Sequence, residues 1–276
     1  MAQTRLIFFS VIILALSSCG QTYRWEKAAM DSSRTGCTAA TADNVKSALG
    51  QMNEDGSYLS PSGVLFPEES ATAKVASIVL HAQPHMADVK KVIAQSEEYM
   101  PNELKENRLS NWFVDIIMNK VSSLSGKKID VGICNFGGIR VGMPEGDVMM
   151  DDIKSMFPFK NYLVYLELTG KQLRDIFEKM ASGKFQAIGG VRIDVADGKI
   201  LKAEIGGKPI DDDRLYSVAT ISFLLKGGDG LYLSEGAVNL KNYDVAIVDA
   251  VLEYVGALTA QGKSIRGSDV VHVTIR

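Results

Sequence analysis

Histidine is scarce in this chain, with three residues in 276. So few imidazoles limit any resident metal chemistry, because a two-metal hydrolytic centre draws on several metal-binding side chains at once. Cysteine is equally sparse at three, too few for a dense disulfide scaffold or a four-thiolate zinc site. Positive charge is not in surplus either: 30 Lys+Arg stand against 33 Asp+Glu, a formal net charge of −3. That balance removes the electrostatic case for nucleic acid, since no basic excess is available to neutralise phosphates. The apolar run Leu6–Leu16 falls short of the roughly 20 residues that a spanning helix requires. What remains is ordinary for a globular protein, with 46% hydrophobic and 23% charged residues.

The first 19 residues form an address. Arg5 precedes Leu6–Leu16, small residues follow, and Cys19 ends the segment, the layout of a signal peptide. Leu16-Ser17-Ser18-Cys19 resembles a bacterial lipobox, which implies an acylated Cys19 and a lipoprotein held at the envelope without crossing it. An ordinary cleaved signal with a coincidental cysteine is the alternative. Of the other two cysteines, Cys37 is expected to be unpaired and Cys134 to be a buried free thiol, although an oxidising envelope permits a bridge between them.

Residues 20–70 are rich in Ser, Thr, Gly, Asn and Asp with weak periodicity, and read as a tether with a loop-rich N-terminal segment. The domain proper is expected over 71–276. Val75, Ile78 and Val79 sit at helical spacing in 71–80, and Trp112, Phe113, Ile116, Ile117 and Val121 mark an amphipathic helix over 111–121. Strands are expected at 129–134, 162–168, 215–220 and 270–275, and helices at 171–180 and 245–258. Residues 191–205 predict a hairpin turning at Asp197-Gly198. Hairpins and helices mixed without strict alternation predict an α+β fold with a mixed sheet.

Three segments carry chemistry. Asn135-Phe136-Gly137-Gly138-Ile139-Arg140 follows a strand; its glycines permit close backbone approach, and an Arg fork can grip a carboxylate, phosphate or hydroxylated ring. It is neither a Walker loop nor a dinucleotide fingerprint, and a plain tight turn is the bland alternative. Phe159, beside Pro158 ahead of the next strand, is either a stacking platform or core. Phe223 and Asp229 stand at opposite ends of the loop in Ser222–Gly230, where a ring could stack a base and a carboxylate could accept hydroxyl or amino hydrogens. A glycine turn capped by Asp is the alternative there.

The order of these segments resembles the C-terminal domain of the 5′-nucleotidase and UDP-sugar hydrolase family: Asn-x-Gly-Gly-Ile-Arg, Pro-Phe-x-Asn, Leu-Thr-Gly, Gly-Lys-Pro-Ile-Asp, Tyr-Ser-Val-Ala-Thr and Gly-Gly-Asp-Gly. The resemblance covers roughly residues 70–276. It implies a nucleoside-binding domain in which Asn135, Gly138 and Arg140 contact substrate, Phe159 and Phe223 sandwich the base, and Asp229 hydrogen-bonds the nucleoside. Lys105 falls where the family often has Arg, so a cation is kept and a bidentate fork is lost. Phe136 replaces a small residue and either crowds the loop or turns into the core. Gly190 lies where family members differ on a further aromatic and is included as a substrate-binding candidate.

The family's catalytic half carries Asp-x-His, Asn-His-Glu and Gly-His-x-His motifs, and none occurs here. His81 and His85 are four residues apart, but Pro84 is expected to disrupt the helix that would align them. Gly-x-Ser-x-Gly is absent too, and Asp211-Asp212-Asp213 reads as a solvated turn. No metal site or cofactor is therefore expected on this chain. The resemblance implies a nucleoside or nucleotide ligand, and divalent metal on a separately encoded metallophosphoesterase subunit. An envelope binding lipoprotein for nucleosides or nucleotide sugars, with no hydrolytic partner, is the alternative.

Overall fold

The structure, a computed structural model, describes residue 40 and residues 44–276. The signal segment, Cys19 and Cys37 lie outside the described residues. Helix α1 (Val45–Leu49) leads into a small antiparallel sheet of β1 (Gln51–Met52), β2 (Tyr58–Leu59) and β3 (Leu65–Phe66). From residue 44 onward the N-terminal segment thus consists of one short helix and three two-residue strands joined by loops. Two-residue strands are too short to show a period, and local bonds hold them instead. The Asp55 carboxylate accepts from the Ser57 N–H at 3.0 Å, and the Tyr58 hydroxyl donates to the Leu49 carbonyl at 2.7 Å.

Helix α2 (Ala71–Met86) begins where the Ser70 side chain accepts from the Ala73 N–H at 3.1 Å. The helix expected over 71–80 forms. Val75, Ile78 and Val79 are exposed, and Ala73 is the buried residue; helical spacing fixes that three residues share a face, not which face is covered. One expectation is corrected here: the helix continues through Pro84 to Met86. A proline so near the C-terminal end removes a single bond, to the Leu80 carbonyl, and leaves almost no helix beyond it to break. His81 and His85 both remain exposed.

The main body follows in chain order: β4 (Val92–Ser96), α3 (Arg108–Ser125), β5 (Val131–Cys134), β6 (Gly146–Met149), α4 (Met150–Met156), β7 (Tyr162–Thr169) and α5 (Gly170–Ser182). Then come β8 (Ala187–Gly189), β9 (Val191–Ala196), β10 (Lys199–Ile205), β11 (Lys208–Pro209), β12 (Leu215–Ile221), β13 (Val238–Ala246), α6 (Ile247–Ala260) and β14 (Val273–Ile275). A capping box starts α3: the Asn107 side chain accepts from the Ser110 N–H at 2.9 Å, and the Ser110 hydroxyl accepts from the Asn107 N–H at 3.0 Å. Gly126, at φ 69°, ends it. The predicted stripe of Trp112, Phe113, Ile116, Ile117 and Val121 is buried.

A five-stranded sheet, ordered β13-β7-β12-β5-β8, forms the centre. Only β5 and β12 run parallel in it, with Val218 opposite Val131, while β7 and β8 pair antiparallel with their neighbours. Ile221 faces Leu163 and Cys134 faces Ala187. The last residues of β5 and β12 therefore share one end of the sheet with the first residues of β7 and β8. Helix α3 lies directly on bare backbone at Gly132 and Gly189, paired across β5 and β8; a Cβ on either would come within 2.6 or 2.7 Å of Val114. The second sheet is β11-β10-β9-β14, and its hairpin turns at Asp197 (φ 49°) and Gly198 (φ 70°) as predicted. The fold is α+β with mixed sheets, and residues Ala40–Arg276 form one compact unit with its own core.

Candidate functional site

Most of the chemistry-bearing residues converge on that one end of the central sheet. Asn135 leaves β5 into a single 3-10 turn, Phe136–Gly138. Its side chain is buried, and Nδ2 donates to Asp229 Oδ2 at 2.8 Å, joining loops 94 residues apart. The other amide atom, Oδ1, is buried without a hydrogen-bond partner. A Cβ on Gly138 would stand 2.7 Å from that oxygen, so glycine at 138 is what leaves it room.

Asp229 is held by an unusual backbone. It has φ 47°, between Gly227 at φ 99° and Gly230 at φ 76°. The Gly230 carbonyl accepts from Lys179 Nζ at 2.6 Å, which ties the loop to α5. A Cβ on Gly228 would meet the Phe223 carbonyl at 2.2 Å and the Phe223 ring at 2.7 Å. Glycine there lets the loop fold back onto Phe223. Phe223 and Phe159 are exposed by 44% and 48%, large values for aromatic rings on loops that also carry the buried Asn135 and the exposed Asp229. Their loops are joined where the Ser222 hydroxyl accepts from the Tyr162 N–H at 3.0 Å. The Arg140 guanidinium lies 5.7 Å from the Phe159 ring centroid and donates to the Gly137 carbonyl at 3.2 Å.

The structure thus brings Asn135, Gly138, Arg140, Phe159, Phe223 and Asp229 to neighbouring loops at one sheet end, and it leaves two candidates apart. Gly190 sits beyond the opposite end of β8, at φ 74°, where a Cβ would come within 2.1 Å of the Asp130 carbonyl. Its glycine is required by backbone geometry there. Lys105 is exposed, 3.6 Å from Glu103, and lines a separate cavity with Phe136. Phe136 is buried and its N–H donates to Gln186 Oε1 at 3.3 Å, so of its two options it turns into the core. Sequence reasoning missed Lys179 and Gln186 and gave Ser222 no role of its own, yet these three fix the loops. Lys179 and Gln186 stand in no recognisable motif, and all three act through a hydrogen bond to a distant segment.

Cys134 is buried and free, and burial pushes its thiol far up, so it stays protonated and inert. Asp212, in the turn before β12, is paired with Arg174 at 3.0 Å. Among the described residues no group of three or more His, Cys, Asp or Glu is placed to hold a metal ion. His272 is buried with Nδ1 2.9 Å from the Val191 carbonyl, a contact that occupies one of its two nitrogens.

A family model described as "5′-nucleotidase, C-terminal domain" matches residues 86–235. A 5′-nucleotidase from Vibrio vulnificus is 33% identical over 141 residues, covering 48% of this chain and 26% of the relative. Protein UshA from Escherichia coli is 31% identical over 132 residues, covering 45% and 24%. The chain thus spans about a quarter of the length of these curated relatives. Among solved structures, a 5′-nucleotidase precursor from Thermus thermophilus superposes with a TM-score of 0.65 at 24% identity, covering 78% of this chain and 45% of that one. That likeness agrees with the fold. With the family match running over more than half of the chain, the protein belongs to the 5′-nucleotidase C-terminal domain family.

Proposed function

We propose that this chain is the nucleoside-binding half of a two-subunit nucleotidase. The carrying observation is the Asn135–Asp229 hydrogen bond, from a buried amide to an exposed carboxylate, beside two exposed aromatic rings. With Oδ2 engaged by Asn135, Asp229 keeps Oδ1 to accept ribose hydroxyl hydrogens. Phe159 and Phe223 stack the base, each face contributing about 1–3 kcal/mol. Arg140, 5.7 Å from the Phe159 ring centroid, offers a cation for a phosphate.

Hydrolysis is assigned to a separately encoded metallophosphoesterase that docks on the face carrying Asn135 and Arg140. Its divalent metals would polarise the phosphate and activate water. Three histidines in 276 residues and the donor set above support placing that centre on another polypeptide. The lipobox-like Leu16–Cys19 supports an acyl anchor at the bacterial envelope. Among the described residues no helix is long and apolar enough to cross a membrane.

The test is to titrate the purified chain with adenosine and AMP, and to assay AMP hydrolysis with added divalent metal. The expected result is saturable binding with no turnover. Turnover that survives purification and disappears in Arg140→Ala would overturn the accessory assignment. Co-purification of a metallophosphoesterase from native membranes would support it, and its absence would leave a binding protein without a hydrolytic partner.

A further inference from the structure

A cavity of about 620 Å³ lies at the start of α3, within the usual size of small-molecule sites. Phe136 lines it, but Asn135, Arg140, Phe159, Phe223 and Asp229 do not. Its walls are apolar: Leu104, Phe185 and Ile188 face Val271, Val273 and Ile275, alternate residues of one extended segment that project to the same side. Leu104, Val271 and Ile275 are 54%, 59% and 69% exposed. Large aliphatic side chains that converge on a concavity while remaining this open mark a binding surface.

Hydrogen bonding and charge narrow the occupant. An added peptide strand would compete for backbone groups of residues 270–273 that side chains already engage. Glu106 accepts from the His272 N–H at 2.6 Å and the Val273 N–H at 2.9 Å, and Asn111 Nδ2 donates to the Val270 carbonyl at 2.6 Å. The same contacts consume the Glu106 carboxylate. The other lining carboxylate, Asp269, accepts from Arg108 Nη2 at 3.2 Å. Against these, Lys184 has no ion-pair partner among the described residues, and Lys105 has a loose, exposed one at 3.6 Å. The lining therefore sets three cations, Lys105, Arg108 and Lys184, against two carboxylates, Glu106 and Asp269, and leaves Lys184 unpaired beside apolar side chains.

We infer that this cavity binds a single-chain aliphatic carboxylate, with its alkyl chain against Val271, Val273 and Ile275 and its head group at Lys184 and Lys105. The site is additional to the nucleoside cleft and does not depend on it.

Calorimetric titration of the 40–276 unit with straight-chain alkanoates tests the inference. Binding should saturate at one site, with affinity rising roughly fourfold per methylene until the cavity is filled. Decanoate should bind roughly two- to fivefold tighter than decanol, a preference that Lys184→Gln removes. Val271→Asp should weaken decanoate by roughly tenfold or more, with an unchanged urea midpoint showing that the fold is intact. Four results would overturn the inference: no saturable binding at millimolar decanoate, equal binding by Val271→Asp, equal binding of decyltrimethylammonium, or displacement of decanoate by adenosine. The last would place the cavity within the nucleoside cleft.

Discussion

Gly137 and Gly138 make a matched pair that isolates the Asn135–Asp229 contact. Neither has a positive φ, so alanine brings no backbone strain at either. A Cβ at 137 would find its nearest neighbour, Asn135 Nδ2, at 3.6 Å, an ordinary contact. At 138 it would stand 2.7 Å from Asn135 Oδ1, and the amide must move. Asn135 is buried, so a movement of its amide lengthens its 2.8 Å bond to Asp229. A hydrogen bond to a charged group contributes about 1.5–3 kcal/mol. The Gly→Ala change restores about 0.4–1 kcal/mol through the unfolded chain. Gly138→Ala should therefore destabilise by about 1–2 kcal/mol, and Gly137→Ala should be neutral or slightly stabilising. Urea denaturation of both variants measures the difference, and adenosine titration should show weaker binding for Gly138→Ala alone. Equal midpoints and equal affinities would refute the claim that Asn135 is positioned through the space beside Gly138.

Phe159→Ala and Phe223→Ala should each lower adenosine affinity by about 1–3 kcal/mol with little effect on the urea midpoint, since both rings are exposed; a large stability loss would make them core residues instead. Gly190→Ala should do the reverse. Its φ of 74° and the Asp130 carbonyl at 2.1 Å predict a loss of about 2 kcal/mol or more, while the molecules that remain folded bind adenosine normally. The Glu167 carboxylate is held down to about 2, from 4.5, by hydrogen bonds from Lys127, Tyr165 and Asn239. A depressed carboxylate contributes stability that is complete above its unfolded pKa and is lost as pH falls through the folded value. Unfolding midpoints should therefore decline between about pH 4.5 and 2. Glu167→Gln should flatten that decline by about 1–2 kcal/mol, a figure discounted for the half-exposed Lys127; an unchanged profile would remove Glu167 as its source.

The parts of the fold legible in sequence are those where a strong period met a strong terminus. Helix α3 has a buried stripe and a capping box, and the β9–β10 hairpin has Asp197-Gly198 in its turn. Strand β13 was not legible: it lies at the sheet edge, mostly exposed, with Asn239 at φ 53° and two breaks in its register against β7. No face of it is buried enough to impose alternation. Helix α4 is seven residues long, short enough to pass for part of the loop leading to Phe159. The site was legible wherever residues follow directly from strands, as Asn135 follows β5 and Phe223 follows β12. Phe136 could not be read from its neighbours, because a single 3-10 turn sets side-chain direction without periodicity. Lys105 and Gly190 were drawn in by their place in a motif order, and only the register of β5 against β8 shows Gly190 at the far end of the sheet.

The parallel pairing of β5 with β12 also has a kinetic consequence. Val131 and Val218 must meet across the intervening β7, α5 and second-sheet hairpin before Asn135 can reach Asp229. Closing so long a loop is an entropic cost that no local contact offsets, and pairings of this kind fold slowly. The Asn135–Asp229 contact is therefore expected to form late in folding. A nascent chain that has not yet presented Asp229 has a sheet but no polar pair, so the appearance of nucleoside affinity during refolding would time the completion of the whole topology.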